Sequence, residues 1–312
     1  MTITTVGEIL VDLTQVSTDV NGIPNFAANP GGAPANVAVA AARLGADTNF
    51  IGCVGDDYFG DLLRKTLVKN SVGIDGLQIT NSGSTTLAIV SIDCRGERSF
   101  SFCRKPGADT CIDEKNAIES LGDPGILHFG SVSLSSPNCR DVIEHIVKHA
   151  KSEGFIITYD PNYRESLWSD YEEAIAQMRR PLPLCDVIKI SDEETELLAG
   201  VRDPKDAAAV LLSKGIKLVI ITLGEDGAYW RYGNTDGTVP GFKVKVADTN
   251  GAGDTFFGAF LSKIAQKGVI DGLSEKEIEE YVRFANKAAS ITTSKPGAIP
   301  AMPNLNELNF GG

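Results

Sequence analysis

The sequence predicts an α/β fold: a three-layer domain with a mostly parallel central sheet and a small β-sheet lid. Three observations carry that expectation. From residue 126 onward, short runs that are apolar throughout alternate with amphipathic stretches, as strands covered by helices on both faces require. Two glycine-rich segments, GGAPAN and NGAGD, each open an amphipathic run and so leave backbone N–H groups at helix starts. Two alternating runs, TTLAIVSID and RSFSFCRK, interrupt the rhythm and read as a hairpin whose apolar residues cannot all face one core.

Taken in order, ITTVGEILVDL reads as one strand ending on Asp12, and Pro24 and Pro30 bracket a second, edge-like segment. In GGAPANVAVAAARLG, Gly31 and Gly32 form a bend and Pro34 suits a first helical position. Val37, Ala40, Ala41 and Leu44 then make an apolar stripe. TNFIGCVG is a buried strand and FGDLLRKTLVKN a helix. The hairpin that follows takes CRGE as its turn. With the segment after Asp12 it forms a lid sheet over a cleft, placing insertions near 12–30 and 84–106 of a single domain spanning 1–312.

The strands GILHFGSVSL, FIITYDPN, DVIKIS and KLVIITLG then alternate with helices over CRDVIEHIVKHAKSEG, YEEAIAQMRR, DEETELLAG and DPKDAAAVLLSKG. FKVKV alternates apolar and charged side chains like a last strand, and FFGAFLSKIAQKG keeps a helical stripe.

In a parallel sheet, ligands bind at the carboxyl ends of the strands. Polar residues collect there: Asp160, Asn162 and Arg164; Lys189, Ser191 and Glu194; Thr222 and Gly224; and the stretch from Asp248 to Asp254. Gly251 and Gly253 let a ligand approach the main chain at a helix start, which is an anion site. Asp254 lies in that same first turn, where a carboxylate repels an anion unless its task is to remove a proton beside the developing charge. An anion cradle beside a base points to phosphoryl transfer. The plainer reading of both glycine segments is a turn and a cap. Asn36 supplies a donor and an acceptor for a polyhydroxylated ligand on the first of them.

The chain has 312 residues, 42% of them hydrophobic, and a net charge of -12 without any block of Lys or Arg. That composition supports a large core and excludes a nucleic-acid partner, so a small-molecule ligand is expected. MTITTVGEIL lacks the features of a secretion signal and no run is long enough to cross a membrane, so the expected location is cytoplasmic. The six cysteines show no C-x-x-C spacing and are expected to be reduced. His145 and His149 stand four apart, but on a solvated helix face with no third ligand; His128 in an apolar strand reads as a core histidine. The acidic run at 192–196 is a helix start favoured by the dipole, from which Glu194 could face the cleft. There is no G-x-x-x-x-G-K-[ST] loop and no G-x-S-x-G elbow.

GGAPANVAVAAARLG and DTNGAGDTFFGAF, about two hundred residues apart, resemble the two signatures of the PfkB (ribokinase-like) carbohydrate kinases. GEILVD, FSFCRKPGAD, HFGSVSL, YDPNYRESLW, DVIKISDEE and VPGFKVKVADTNGAGD are most similar to the fructokinase branch. The resemblance implies a ribokinase-like fold and an ATP-dependent kinase acting on the primary hydroxyl of a furanose, with fructose giving fructose 6-phosphate and Mg2+ carried on the nucleotide. It assigns Asp254 as the base and the N–H groups of Gly251, Ala252 and Gly253 as the anion hole. Asp12, Gly32 and Asn36 would hold sugar hydroxyls, with Arg104 and Arg164 near the sugar. Thr222, Gly224 and Asn286 would contact the nucleotide, with Ser191 and Glu194 near its Mg2+ and phosphates. Asp248, Asn250, Thr292 and Gly297 match a monovalent cation site, which implies K+.

The first signature lacks a lysine that many ribokinases carry, which weakens a ribose reading, and Ala301 stands where some members present a hydroxyl. Because Arg104 and Arg164 could both meet a carboxylate, 2-keto-3-deoxygluconate is the rival substrate, with a riboside as the third. A sugar-binding regulator on the same fold is the non-catalytic alternative. The unpaired edge of a lid sheet makes a homodimer through the lid an expectation.

Overall fold

Two sheets share the first strand's sequence in the computed structural model, which describes residues 1–92 and 98–308. β1 (Ile3–Val6) lies inside the large sheet, but β2 (Leu10–Thr18) belongs to the small one. ITTVGEILVDL is therefore two strands and not one. Gly7, at φ 145°, makes the break, and a Cβ there would lie 2.9 Å from Pro34 Cγ. The break carries Glu8 and Asp12 into the cleft between the sheets.

β3 (Pro24–Gly31) pairs back on β2, and α1 (Ala33–Arg43) follows directly from Gly32. β4 (Thr48–Gly55), α2 (Tyr58–Lys69) and β5 (Leu77–Thr80) complete one edge of the large sheet. β6 (Leu87–Ile92) and β7 (Arg98–Cys103) return to the small sheet, whose order is β3-β2-β6-β7; the turn expected at CRGE, and Cys94 within it, lie outside the described residues. α3 (Glu114–Glu119) then leads into the expected rhythm of β8 (Ile126–Gly130), α4 (Pro137–Ser152), β9 (Ile156–Asp160), α5 (Tyr171–Arg179) and β10 (Val187–Ser191). It continues with α6 (Thr195–Ala199), α7 (Pro204–Leu212) and β11 (Leu218–Thr222).

Two strands that the sequence reading passes over, β12 (Ala228–Tyr232) and β13 (Thr235–Val239), add an antiparallel hairpin at the other edge. Its turn carries Gly233 at φ 56°, and Trp230 lies over Gly237, where a Cβ would come within 2.9 Å of the indole nitrogen. The large sheet thus has nine strands in the order β13-β12-β11-β10-β9-β8-β1-β4-β5. Along β10 and β11 alternate residues feed opposite cores, as a period of two requires. Ile188, Ile190, Val219 and Ile221 pack with α4 to α7, while Val187, Leu218 and Ile220 face the other helical layer. That layer contains α1, α8 (Ala252–Lys267) and α9 (Glu275–Thr293). The three-layer α/β fold with a small sheet beside it is the one the sequence predicts.

FKVKV forms no strand. Among the described residues it joins neither sheet, Val244 and Val246 are exposed, and the segment instead borders the large cavity described below. Charged side chains alternating with apolar ones serve an extended loop as readily as an edge strand.

The packing of α1 on α8 sets the site. At Gly258 a Cβ would come within 2.7 Å of both the Ala40 Cβ and the Val37 carbonyl, so glycine lets the two helices approach with their N-terminal ends side by side. Among the described residues, no helix is long and apolar enough to cross a membrane, and the five cysteines are all free.

Candidate active site

Asp254 is buried in the first turn of α8, and two amides aim its carboxylate. Asn36 Nδ2, from the first turn of α1, donates to Oδ2 at 2.8 Å, and Asn162 Nδ2, from the loop after β9, donates to Oδ1 at 3.2 Å. Asn162 holds φ 54°, a conformation asparagine tolerates better than most residues. Burial raises the Asp254 pKa, opposed by the Asn36 hydrogen bond and by the charges of Lys189 and Arg164.

The glycine turn beneath it has the expected geometry of a helix start. Gly251 caps α8 in the left-handed region at φ 72°. The Ala252 N–H reaches the Thr249 carbonyl at 3.3 Å, while among the described residues no oxygen accepts from the N–H of Gly251 or Gly253. A Cβ on Gly253 would lie 2.9 Å from Lys189 Nζ. Lys189, buried midway along β10, donates to Asp160 Oδ2 at 2.8 Å. Burial works against its ammonium, but the carboxylates of Asp160, Glu194 and Asp254 together outweigh that cost and the Lys189 pKa is raised. A cation is therefore held under the turn. Sequence reading places Lys189 and Asp160 at strand ends, but their pairing across two parallel strands has no sequence signature.

On the lid side, Glu8, Asp12, Gly32, Asn36, Phe102, Arg164 and Asn250 join Asp254 around a cavity of about 50 Å3. Burial pushes the Asp12 carboxyl up to about 6, opposed by Asn250 and Arg164. Glu8 is the acid that sequence reasoning misses. Its Oε1 accepts from the Ala33 N–H at 3.0 Å, and burial pushes its pKa up to about 7. A lone acid in the apolar run GEILVD was its one signal. Gly31 and Gly32 have packing reasons: a Cβ would lie 2.6 Å from Asp12 Oδ2 at the first and 2.6 Å from the Glu8 carbonyl oxygen at the second.

Arg104 is neither a solvated edge charge nor a lining residue of this cavity. Its guanidinium pairs with buried Asp109, with Nη2 at 2.6 Å and Nε donating at 2.8 Å, and Nη1 donates to Ser135 Oγ at 2.8 Å. The base of the lid is thus tied to the loop after β8, whose Val132 lines the cavity together with Phe102.

On the opposite side of the turn lies a cavity of about 530 Å3, lined by Thr222, Gly224, Phe242, Ala252, Gly253 and Asn286. Asn286 Nδ2 donates to the carbonyls of Val239 and Pro240 at 3.1 and 3.2 Å and so fixes the wall after β13. A third cavity, about 320 Å3, holds Asp160, Lys189, Ser191 and Glu194. Here Glu194 Oε2 accepts from the Ser191 N–H at 2.9 Å and Oε1 from the Tyr163 N–H at 2.7 Å. Arg164 lines both this cavity and the small one.

Three of the four expected cation-site residues meet beside the turn. Asp248 accepts from the N–H of Asn250 at 2.8 Å and of Gly297 at 3.0 Å. Thr292 lies deeper, its hydroxyl donating to Thr255 Oγ1 at 3.0 Å, which in turn donates to the Gly251 carbonyl at 2.7 Å. Ala301 is buried nearby in the same C-terminal turn. Elsewhere, His145 Nδ1 lies 3.0 Å from Glu114, and no cluster of three metal-ligating side chains occurs among the described residues. His128 is a core residue, its Nδ1 3.2 Å from Thr158 Oγ1, with burial pushing its pKa down to about 3.

The chain is similar to known proteins over nearly its whole length. The family model described as pfkB family carbohydrate kinase matches residues 2–305. Fructokinase-2 of Solanum habrochaites is 40% identical over 305 residues, covering 96% of this chain and 93% of its own. The fructokinase of Vibrio cholerae O395, solved with fructose, ADP and calcium ion, superposes with a TM-score of 0.89 at 34% identity, covering 98% of this chain and 97% of that one. A double mutant of the same enzyme, solved with fructose, ADP and potassium ion, gives a TM-score of 0.89 at 34% identity over 98% and 96%.

Proposed function

The chain belongs to the pfkB family of carbohydrate kinases, and we propose from that premise that it is an ATP-dependent fructokinase, forming D-fructose 6-phosphate and ADP. The observation that carries the reading is that two cavities of opposite character meet at one glycine turn. Asp254 faces the small acid-lined one, and Ala252 and Gly253 face the large one.

In this reaction Asp254 takes the proton of the sugar's primary hydroxyl. The hydroxyl oxygen bonds to the γ-phosphorus as the bond from phosphorus to the β,γ-bridging oxygen breaks, and ADP leaves with that electron pair. The N–H groups of the turn, backed by the Lys189 ammonium, carry the charge on the transferring phosphoryl. Asn36 and Asn162 orient the base. Asp12, Gly32, Asn36 and Arg164 hold the sugar, and Thr222, Gly224 and Asn286 hold the nucleotide.

A sugar acid would bring its carboxylate among three acids, Glu8, Asp12 and Asp254, faced by the single guanidinium of Arg164, while the Arg104 guanidinium is already committed to Asp109. That favours a neutral ketose over 2-keto-3-deoxygluconate, and it makes Arg104 a residue that positions the lid.

The sparse donor set fits Mg2+ carried by nucleotide phosphates and water, with Ser191 and Glu194 the nearest protein groups; the ion supplies charge neutralisation when bound. The oxygen-rich loop of Asp248, Asn250 and Gly297 fits K+. The cytoplasm is the matching compartment. The lid's exposed Val16, Val20, Ile23 and Phe26 favour pairing of two copies, which sedimentation at twice the chain mass would support and at the chain mass would refute.

The test is ADP release from ATP and fructose, with Asp254→Asn beside the wild type. The wild type should turn over. The variant should bind fructose and ATP within a few-fold of it while kcat falls about 10² to 10⁴. Retained turnover in the variant would remove Asp254 as the base. A silent wild type that still binds sugar would favour the regulator.

A further inference from the structure

Arg43 lies about two helical turns beyond Asn36, at the end of α1, and lines neither substrate cavity. It is half-buried and makes three hydrogen bonds to three separate acceptors. Nε donates to Asn70 Oδ1 at 2.8 Å, at the end of α2. Nη1 donates to the carbonyls of Ile299 at 2.8 Å and Met302 at 2.6 Å. The side chains of Ile299 and Met302 are themselves buried in the cluster that includes Ala38, Val39 and Ala40 of α1.

That C-terminal turn is what the glycine turn rests on. Ala298 occupies the space beneath Gly251, where a Cβ would come within 2.7 Å of the Ala298 Cβ. One residue earlier, the Gly297 N–H donates to Asp248 Oδ2 at the other end of the same loop. A continuous set of contacts therefore runs from the helix that carries Asn36, through Arg43 and residues 297–302, to the glycine that caps α8. Burial lowers the Arg43 pKa, so a cation here is costly. A strut serving only to fill space would be cheaper as an apolar side chain. What the guanidinium adds is direction, since one planar group holds Asn70 through Nε and two carbonyls through Nη1.

We propose that Arg43 is a positioning residue for phosphoryl transfer: by holding the Ile299 and Met302 carbonyls it keeps Ala298 under Gly251, and so fixes the anion-binding turn relative to Asn36 and the base. The inference rests on the kinase reading, and a misplacement near 1 Å at such a site costs about 10² in rate.

The experiment compares wild type, Arg43→Met and Arg43→Lys by steady-state kinetics with ATP and fructose, well below each melting temperature. Arg43→Met should lose about tenfold or more in kcat with KM for fructose within about twofold, and Arg43→Lys should recover part of the loss. Ala298→Gly, which loosens the far end of the same chain of contacts, should show the same split and stands in should Arg43→Met fail to fold. Wild-type kcat in Arg43→Met, with only its melting temperature lowered, would overturn the proposal, as would wild-type kcat in Ala298→Gly. An inactive wild-type protein would overturn the kinase reading and this inference with it.

Discussion

Asp254 gains its chemistry from two amides that reach it from elements far away in sequence, Asn36 and Asn162. Glu8 shows the opposite economy, a carboxylate held at a cost. Its pKa is about 7 in the folded chain against 4.5 ordinarily, so the folded state binds more protons across that window. The associated stability is fully present below 4.5 and is lost as pH rises through 7. Glu8→Gln keeps an acceptor for Ala33 and removes the penalty. Its stability advantage over wild type should therefore grow from pH 5 to pH 8, reaching roughly 3 kcal/mol. Thermal melts would check this, and a pH-independent difference would contradict it. Asp254 was legible in the sequence because its turn has a local pattern. Glu8 and the pairing of Lys189 with Asp160 were not, because a buried acid or a buried ion pair is defined by neighbours that sequence order does not supply.

At the scale of elements, the two glycine segments were readable because backbone geometry there demands particular residues in a row. FKVKV and ITTVGEILVDL misled for a physical reason. Alternation reports which side chains can face water, and says nothing of whether a partner strand exists or whether one run is cut between two sheets. The glycine turn offers the sharper test. Gly253 has no left-handed backbone demand, so Gly253→Ala should fold normally, yet its Cβ would meet Lys189 Nζ, which Asp160 holds in place. We expect kcat to fall about 10² with the melting temperature nearly unchanged. Unaltered kcat would show that the ammonium and the turn need not keep this spacing.

Across the whole molecule, the nine-stranded sheet sets the layers, and the crossing of α1 on α8 brings residues 218 positions apart into one hydrogen bond. The fold class was legible from rhythm alone. The hairpin at one edge was not, because a short antiparallel addition leaves the α/β rhythm intact. The C-terminal turn joins Asp248 to Gly297 and so to the far end of the chain. Replacing potassium by sodium should therefore lower kcat several-fold, and equal rates in the two salts would remove the cation from the account. The central claim is that a lid-covered pocket of acids selects a neutral ketose for phosphorylation. Its most direct test is the ratio of kcat/KM for fructose to that for 2-keto-3-deoxygluconate in the wild-type enzyme. We expect the ratio to favour fructose by about 10², the cost of bringing a carboxylate among three acids with one guanidinium to offset it. A preference for the keto-acid would contradict the claim and return Arg104 and Arg164 to the role of carboxylate clamps.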